Sequence, residues 1–188
     1  RVGCVEPEAL ERDVRDGASI RGGGRSGIVQ GSRIGDWERN RVRKVNFEVA
    51  SGSHYEAAMR LLEANGLPTA DVTPDHVTLM AALDGESVIG CIGLETAGEF
   101  GLLRSLAVDA DRRGSGLGRA LFAAILPVAR QRGYTALYGL TNTAEGFLEK
   151  TGFAQVAREN VPAPVRATAQ FNSLCPASTK VFVQWLAI

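Results

Sequence analysis

The stretch of this 188-residue sequence best suited to chemistry is the glycine-rich segment at positions 111–120. Its glycines are Gly114, Gly116 and Gly118, and its arginines are Arg112, Arg113 and Arg119. Because glycine lacks a β-carbon and tolerates positive φ, the loop can turn its backbone amides toward one point. It follows a strand-like run, Leu102 to Val108, and opens a helix-like run, Leu117 to Arg130, whose unpaired N–H groups would point the same way. The pattern predicts an anion-binding loop.

The glycine spacing separates this loop from two other phosphate-binding loops. The dinucleotide fingerprint needs G-x-G-x-x-G with an acidic residue about 20 positions later. Here the glycines alternate, and Gly133 and Tyr134 stand at the downstream position. A P-loop needs a lysine after its last glycine, and none follows Gly118. The alternative without a ligand is a glycine-rich turn with solvated arginines.

Length and composition favour one globular domain that binds a small molecule. With 45% hydrophobic residues the chain can bury one core. Its formal net charge of zero gives no general attraction to nucleic acid or to an anionic membrane. No apolar run reaches the ~18 residues of a membrane-spanning helix. Three distant cysteines and two histidines predict neither a disulfide framework nor a metal site, and a cytoplasmic location is expected.

The first 44 residues differ in composition from the rest of the chain. They contain ten Lys or Arg, seven Asp or Glu and eight Gly residues, without an apolar period. Such a segment buries too little apolar surface to offset its ordering entropy. We therefore expect residues 1–44 to be a disordered or non-native extension, and residues 45–188 to form the folded domain.

The remaining sequence alternates between strand-like and helix-like patterns. Strands are predicted at Lys44–Ala50, Val77–Leu83, Ser87–Glu95, Phe100–Val108, Thr135–Thr141, Phe153–Arg158 and Lys180–Trp185. Helices are predicted at Tyr55–Asn65 and Leu117–Arg130, the latter with a kink at Pro127, and a short helix capped by Asn142 or Thr143 should end at Gly152. Residues 161–176 contain three prolines and no clear period. The order predicts an α/β (α+β) fold, a mixed, mostly antiparallel sheet of six or seven strands with helices on both faces.

This order, together with the R-R-G-x-G-x-G-R-A-L loop, resembles the GCN5-related N-acetyltransferases, which hold acetyl-coenzyme A. Four further segments resemble the small arsenic-resistance N-acetyltransferase group within that superfamily. They are Gly93–Glu95, Leu102–Val108, Thr143–Phe147 and Phe171–Ser178. The resemblance covers residues 44–188.

The resemblance implies where acetyl-CoA would bind. The strand ending at Val108 should splay from the next strand, so that the pantetheine arm enters the gap and pairs with main-chain groups. The positions implied for the cofactor are Leu106, Ala107, Val108, Arg113, Gly114, Ser115, Gly116, Leu117, Gly118, Arg119, Asn142 and Phe147. For Phe147 a core contact is the alternative. No metal is implied.

Acetyl transfer needs a neutral amine and then a proton for the leaving thiolate. Glu95 and Glu99 are candidate bases, with Glu95 preferred because it lies at the end of a central strand. The tyrosine that often acts as the acid in this family is replaced by Leu148. Cys175 is predicted to take that role, with Ser173, Tyr138 or water as alternatives.

Acceptor recognition is expected from Arg104, Ser105, Arg166 and Ser173. Simple strand alternation would put Arg104 on the same face as Leu106 and Val108, where an unpaired charge is costly to bury. Arg104 would therefore bind a carboxylate of the substrate, or else form an internal salt bridge, for example with Glu95.

The resemblance implies an N-acetyltransferase of a small polar, amino-acid-like amine, such as an arsenical or phosphinic glutamate analogue, acting in detoxification. The reaction would be direct attack in a ternary complex, and the protein could be a homodimer. A catalytically weak acyl-CoA-binding regulatory or interaction module is the alternative.

Overall fold

The computed structural model describes residues 45–187, and the predicted extension at residues 1–44 lies outside this range. The strands are β1 (Asn46–Val49), β2 (Val77–Asp84), β3 (Ser87–Ala97), β4 (Phe100–Val108), β5 (Ala136–Thr141), β6 (Ala154–Val156) and β7 (Lys180–Trp185). The helices are α1 (Gly52–Ala64), α2 (Leu117–Gln131), α3 (Glu145–Lys150) and α4 (Ala163–Arg166). Among these residues no helix is long and apolar enough to cross a membrane.

The seven strands form one sheet in the order β1-β2-β3-β4-β5-β7-β6. Every neighbouring pair is antiparallel except β4 and β5, which are parallel because α2 carries the chain back across the sheet between them. The β2–β3 and β3–β4 turns place Gly85 and Gly98 at a φ of 65°, a conformation that favours glycine. The predicted mixed, mostly antiparallel sheet with three consecutive antiparallel strands is confirmed.

Helices cover both faces of the sheet. The α2 face packs α2 and α3 against residues such as Leu103, Leu137 and Phe182. The opposite face, which we call the α1 face, packs α1 over β2 and β3 and α4 over β4, β5 and β7. On β5, Leu137 belongs to the α2 face and Tyr138 to the α1 face, as strand alternation requires.

Pro127 lies inside α2, between the buried residues Ile125 and Ala129, and the kink expected there stays a prediction. Two local expectations differ from the structure. Residues 161–176 are not irregular throughout, because they contain α4 and a π-helical turn, Gln170–Leu174. The strand predicted at 153–158 is reduced to β6 and followed by a 3-10 turn, Arg158–Asn160.

Candidate active site

The central feature of the sheet is a cleft between β4 and β5. The two strands pair only from Phe100 with Ala136 to Leu103 with Gly139, although each continues beyond that point. Within residues 45–187, the rest of β4 therefore has no strand partner on its β5 side. Apolar side chains line this cleft on the α2 face, among them Leu103, Leu106, Ala144, Phe147 and Leu148. An extended ligand can take the place of the missing strand here, as the family resemblance implies.

A β-bulge at Ser105 marks where the cleft opens. Cys91 pairs with Ala107 but Gly93 pairs with Arg104, so β4 carries one extra residue. Ser105 accommodates it with a φ of 54°, the left-handed region that non-glycine residues rarely adopt. The bulge reverses the alternation: Leu106 and Val108 lie on the α2 face, whereas the Arg104 side chain runs past Gly93 on the α1 face. The expected shared face of Arg104, Leu106 and Val108 is therefore wrong, because a bulge shifts the period of a strand by one residue.

The glycine loop lies between β4 and α2. Gly114 and Gly116 have φ values of 76° and 80°, and Gly116 is the residue before the first turn of α2. A β-carbon at Gly114 would meet no atom within 4 Å, so the loop is open on that side. The Ser115 hydroxyl donates to the Arg112 carbonyl at 2.6 Å and closes the turn. Leu117 and Gly118 are buried and fix the start of α2 against the core.

The arginines of the loop have different partners. Arg112 forms an ion pair of 2.6 Å with Asp84 and so ties the loop to the β2–β3 turn. Arg113 donates to the side-chain oxygen of Asn65 at 2.8 Å, and its Nε is buried without a hydrogen-bond partner among the described residues. Arg119 is exposed on the first turn of α2. An orphaned guanidinium N–H beside a helix N-terminus fits an anionic group such as a pyrophosphate.

A cluster of three charged side chains lies on the α1 face. Arg104, with its side chain only 1% exposed, contacts Asp71 through both terminal nitrogens, at 2.5 and 2.7 Å, and Glu95 at 2.8 Å. Its Nε also donates to the Ser105 hydroxyl at 3.3 Å. Burial alone would lower the pKa of Arg104, but the hydrogen bonds and charges of Asp71 and Glu95 outweigh it and raise that pKa. The internal salt bridge, not a free carboxylate receptor, is thus the arrangement that the geometry gives for Arg104.

Glu95 and Glu99 both lie toward the start of β4, at different distances from the cleft. Glu95 is opposite Leu102, and its side chain is 14% exposed beside the Arg104 guanidinium. Glu99 is in the β3–β4 turn, and its carbonyl accepts from Thr135, where β4 and β5 are still close. Glu99 is therefore at the closed end of the cleft. Glu95, opposite Leu102 and in contact with Arg104, lies closer to the open end and is the better placed candidate base.

Two residues expected to contact the cofactor, near the end of β5, have different surroundings. Phe147 lines the cleft. The side chain of Asn142 turns toward β7, where its oxygen accepts from the Lys180 N–H at 3.2 Å. The α3 N-terminus is not capped by Asn142 or Thr143: the Thr141 hydroxyl accepts from the Thr143 and Ala144 amides, at 3.0 and 2.8 Å. Thr141 is fully buried and was not identified from the sequence.

The remaining candidates lie near a second pocket, on the α1 face. Its lining includes Arg158, Arg166, Phe171, Asn172 and Cys175. The structure therefore brings Arg166 and Cys175 together. The Cys175 sulfur is buried, lies 3.8 Å from the Gln170 side-chain oxygen and is disulfide-bonded. Ser173 is exposed and its hydroxyl donates to the Ala169 carbonyl.

Sequence reasoning missed Asp71 and Arg158. Asp71 belongs to a loop with no period, and Arg158 was placed at the end of a predicted strand. The contacts of Asp71 are with a residue 33 positions away, and those of Arg158 with residues 13 and 21 positions away. The sequence pointed to Asp71 only as a carboxylate in the loop between α1 and β2 to which no role had been given.

The mixed sheet with its cleft between β4 and β5 has a counterpart among known protein families. Residues 40–153 match the acetyltransferase (GNAT) family. The chain belongs to this family.

The sequence is similar to two amino-acid acetyltransferases of Neisseria meningitidis, one from a serogroup A strain and one from a serogroup B strain. Each is 30% identical to this chain over 126 residues, which is 63% of this chain and 29% of the relative. The chain thus spans under a third of the length of these curated relatives.

Solved structures with the same fold include the N-acetylglutamate synthase of Neisseria gonorrhoeae in complex with coenzyme A and N-acetyl-glutamate. It has a TM-score of 0.63 and 22% identity, over 77% of this chain and 35% of that one. A Mycobacterium tuberculosis protein solved with CoA has a TM-score of 0.59 and 20% identity, over 76% of this chain and 99% of that one.

Proposed function

We propose that this protein is an acetyl-CoA-dependent N-acetyltransferase of a small, amino-acid-like amine. The observation that carries the proposal is the cleft between β4 and β5, which opens at the Ser105 bulge and has the glycine loop at its end. Beside it, on the opposite face of the sheet, Glu95 and Asp71 present two carboxylates against one guanidinium. Cofactor and acceptor can therefore approach from different faces.

The residues of the cleft fit acetyl-CoA, which supplies an activated acetyl group as a thioester. The amides of residues 114–119, with Arg113, would hold the pyrophosphate. Main-chain groups of residues 106–108, on the unpaired edge of β4, would pair with the pantetheine amides, and the Val108 N–H would polarise the thioester carbonyl. Phe147 would contact the arm across the cleft.

The carboxylate cluster suits an acceptor that arrives as an ammonium. Asp71 and Glu95 outnumber Arg104, so the cluster carries a net negative charge that attracts a cation. Arg104 fixes the orientation of Glu95, which would remove the proton of the amine through a water molecule. The neutral amine nitrogen then bonds to the acetyl carbon as the carbon–sulfur bond breaks, and the second proton that the nitrogen loses on becoming an amide passes to water. The thiolate takes its proton from Cys175, which can donate only in its reduced form, or from water.

The acceptor class rests on the relatives. The similar curated proteins are amino-acid acetyltransferases, and a structure of the same fold holds N-acetyl-glutamate. We therefore propose an amino acid or a close analogue, with arsenical and phosphinic glutamate analogues as members of the class to be tested.

The test measures release of free CoA from acetyl-CoA with a panel of L-amino acids and with the two glutamate analogues. We expect turnover with at least one of them. Glu95→Gln should lower kcat by about 100-fold or more while leaving the Kd of acetyl-CoA unchanged. Glu99→Gln is the matched control and should behave like wild type.

Cys175→Ala in reducing buffer should lower kcat at a wild-type melting temperature if the thiol is the acid. Tight binding of acetyl-CoA without turnover of any amine would contradict the proposal and support a regulatory acyl-CoA-binding module. Equal losses of kcat in Glu95→Gln and Glu99→Gln would show that Glu95 is not the specific base.

A further inference from the structure

The second pocket carries an excess of positive charge. Arg158 and Arg166 both line it, and among the described residues that line it there is no Asp or Glu. Neither arginine has a carboxylate partner in the part of the chain that the structure describes, and this distinguishes them from Arg104 and Arg112. A pocket with two uncompensated guanidinium groups favours an anionic ligand.

Arg158 is held in a fixed position. Its Nη1 donates to the Thr179 carbonyl at 2.9 Å and its Nη2 to the Phe171 carbonyl at 3.2 Å. The guanidinium carbon also lies 4.0 Å from the centre of the Phe171 ring. These contacts orient the group but leave further N–H donors unused and its charge unneutralised. A planar, pre-oriented guanidinium is suited to bidentate binding of a carboxylate.

The pocket also lies on the acceptor side of the cleft. Thr179, to which Arg158 is bonded, directly precedes β7, and Lys180 pairs with Thr141 at the open end of β5. Cys175 packs in the same cluster as Tyr138 and Leu140, on the α1 face of that strand. The glycine loop and the apolar cleft wall belong to α2 and its face, so the pocket does not overlap them.

We propose that Arg158 and Arg166, together with the side-chain amide of Asn172, bind a carboxylate of the acceptor. This inference rests on the proposed function and deepens it. The ammonium end of an amino acid would face Asp71 and Glu95, and its carboxylate would face Arg158. Arg104 cannot serve this purpose, since its side chain is buried and both of its carboxylate partners belong to the protein.

The test uses the acceptor that the wild-type chain prefers in the panel above, and the same compound with each of its carboxylates converted to an amide in turn. We expect Arg158→Met and Arg166→Gln each to lower kcat/KM for the acceptor by about 10- to 100-fold, through the acceptor KM. The KM of acetyl-CoA should not change. For one of the amide derivatives, the kcat/KM of wild type should be as low as the kcat/KM of Arg158→Met for the parent acceptor. Arg158→Met should turn over the parent acceptor and that derivative with equal kcat/KM.

Arg60→Gln is the control, because Arg60 is exposed on α1 and its ion pair among the described residues is with Glu56 on the same helix. Arg158→Met could loosen the π-helical turn, so Arg166→Gln, whose side chain has no hydrogen bond to the described residues, gives the independent measurement. Wild-type acceptor kinetics in Arg166→Gln together with a retained preference for the carboxylate in Arg158→Met would overturn the inference. Absence of turnover by wild type with every acceptor would overturn the proposed function, and this assignment with it.

Discussion

At the scale of single residues, one buried guanidinium organises the acceptor side of the sheet. Arg104 is placed on that side by the Ser105 bulge and neutralised there by Asp71 and Glu95. A buried charge is tolerated only when it is paired, so each partner constrains the others. The cluster therefore holds a candidate base in place as well as stabilising the fold.

Arg104→Met tests the structural part of this argument. Removal of the guanidinium leaves the carboxylates of Asp71 and Glu95 without their cation. We therefore expect the free energy of unfolding to fall by about 3 kcal/mol. Denaturant unfolding followed by circular dichroism measures this, with the exposed Arg60→Met as control. Wild-type stability together with a raised acceptor KM would instead show that Arg104 binds the substrate carboxylate.

Cys91 gives a prediction about pH. It lies on β3, fully buried, and burial raises the pKa of its thiol to about 12 from an ordinary value of 9.0. Above about pH 9 the unfolded chain loses this proton while the folded chain keeps it, so stability falls as the pH rises toward 12. Below that window both states keep the proton and Cys91 contributes no slope.

The measurement is the free energy of unfolding of wild type and Cys91→Ala as a function of pH. Their difference should change by up to about 1.4 kcal/mol per pH unit above pH 9, with wild type losing more. Parallel curves for the two proteins would show that the Cys91 thiol titrates normally in the folded state.

At the scale of elements, the loop before α2 unites two features that favour anions. Its glycines adopt positive φ at positions 114 and 116, and the helix that follows exposes its first N–H groups to the same side. At 15 residues α2 is long enough for an aligned dipole, and its buried stripe fixes it against the sheet. The loop is thus rigidly connected to the strand that forms the cleft.

Gly116→Val should abolish binding of CoA, because a branched side chain strains the left-handed backbone and fills the space before the helix. Isothermal titration calorimetry gives the affinity. Gly133→Val is the matched control, since Gly133 follows the other end of α2 with a φ of 71° and open space around it. The control should lose comparable stability but bind normally; equal affinity in both folded variants would refute the assignment of the loop.

At the scale of the whole molecule, the cleft leaves the sheet joined by only four residue pairs between β4 and β5. This short parallel contact joins two groups of strands: β1 to β4 on one side, and β5, β7 and β6 on the other. A ligand that fills the missing strand position would connect the two groups through main-chain hydrogen bonds.

Hydrogen exchange should detect this effect. Acetyl-CoA at 100 times its Kd should slow exchange by up to about 100-fold at amides of residues 105–108 that do not bond to β3. Amides of the β2–β3 hairpin in the same sample provide the control and should change less. Uniform protection across the sheet, or none at residues 105–108, would contradict binding in the cleft.

The sequence by itself determined the features that depend on near neighbours in the chain. The alternate glycines, the apolar stripe of α2 and the turns at Gly85 and Gly98 follow from backbone conformation and local periodicity, and these were sufficient to predict the sheet and the loop.

The tertiary structure alone decided which side chains meet. The extra residue at Ser105 moved Arg104 to the other face, Asp71 reached it from a loop without a period, and Arg158 became fixed by carbonyls of Phe171 and Thr179. No local pattern encodes such contacts, because they depend on strand register and on how loops pack across the sheet.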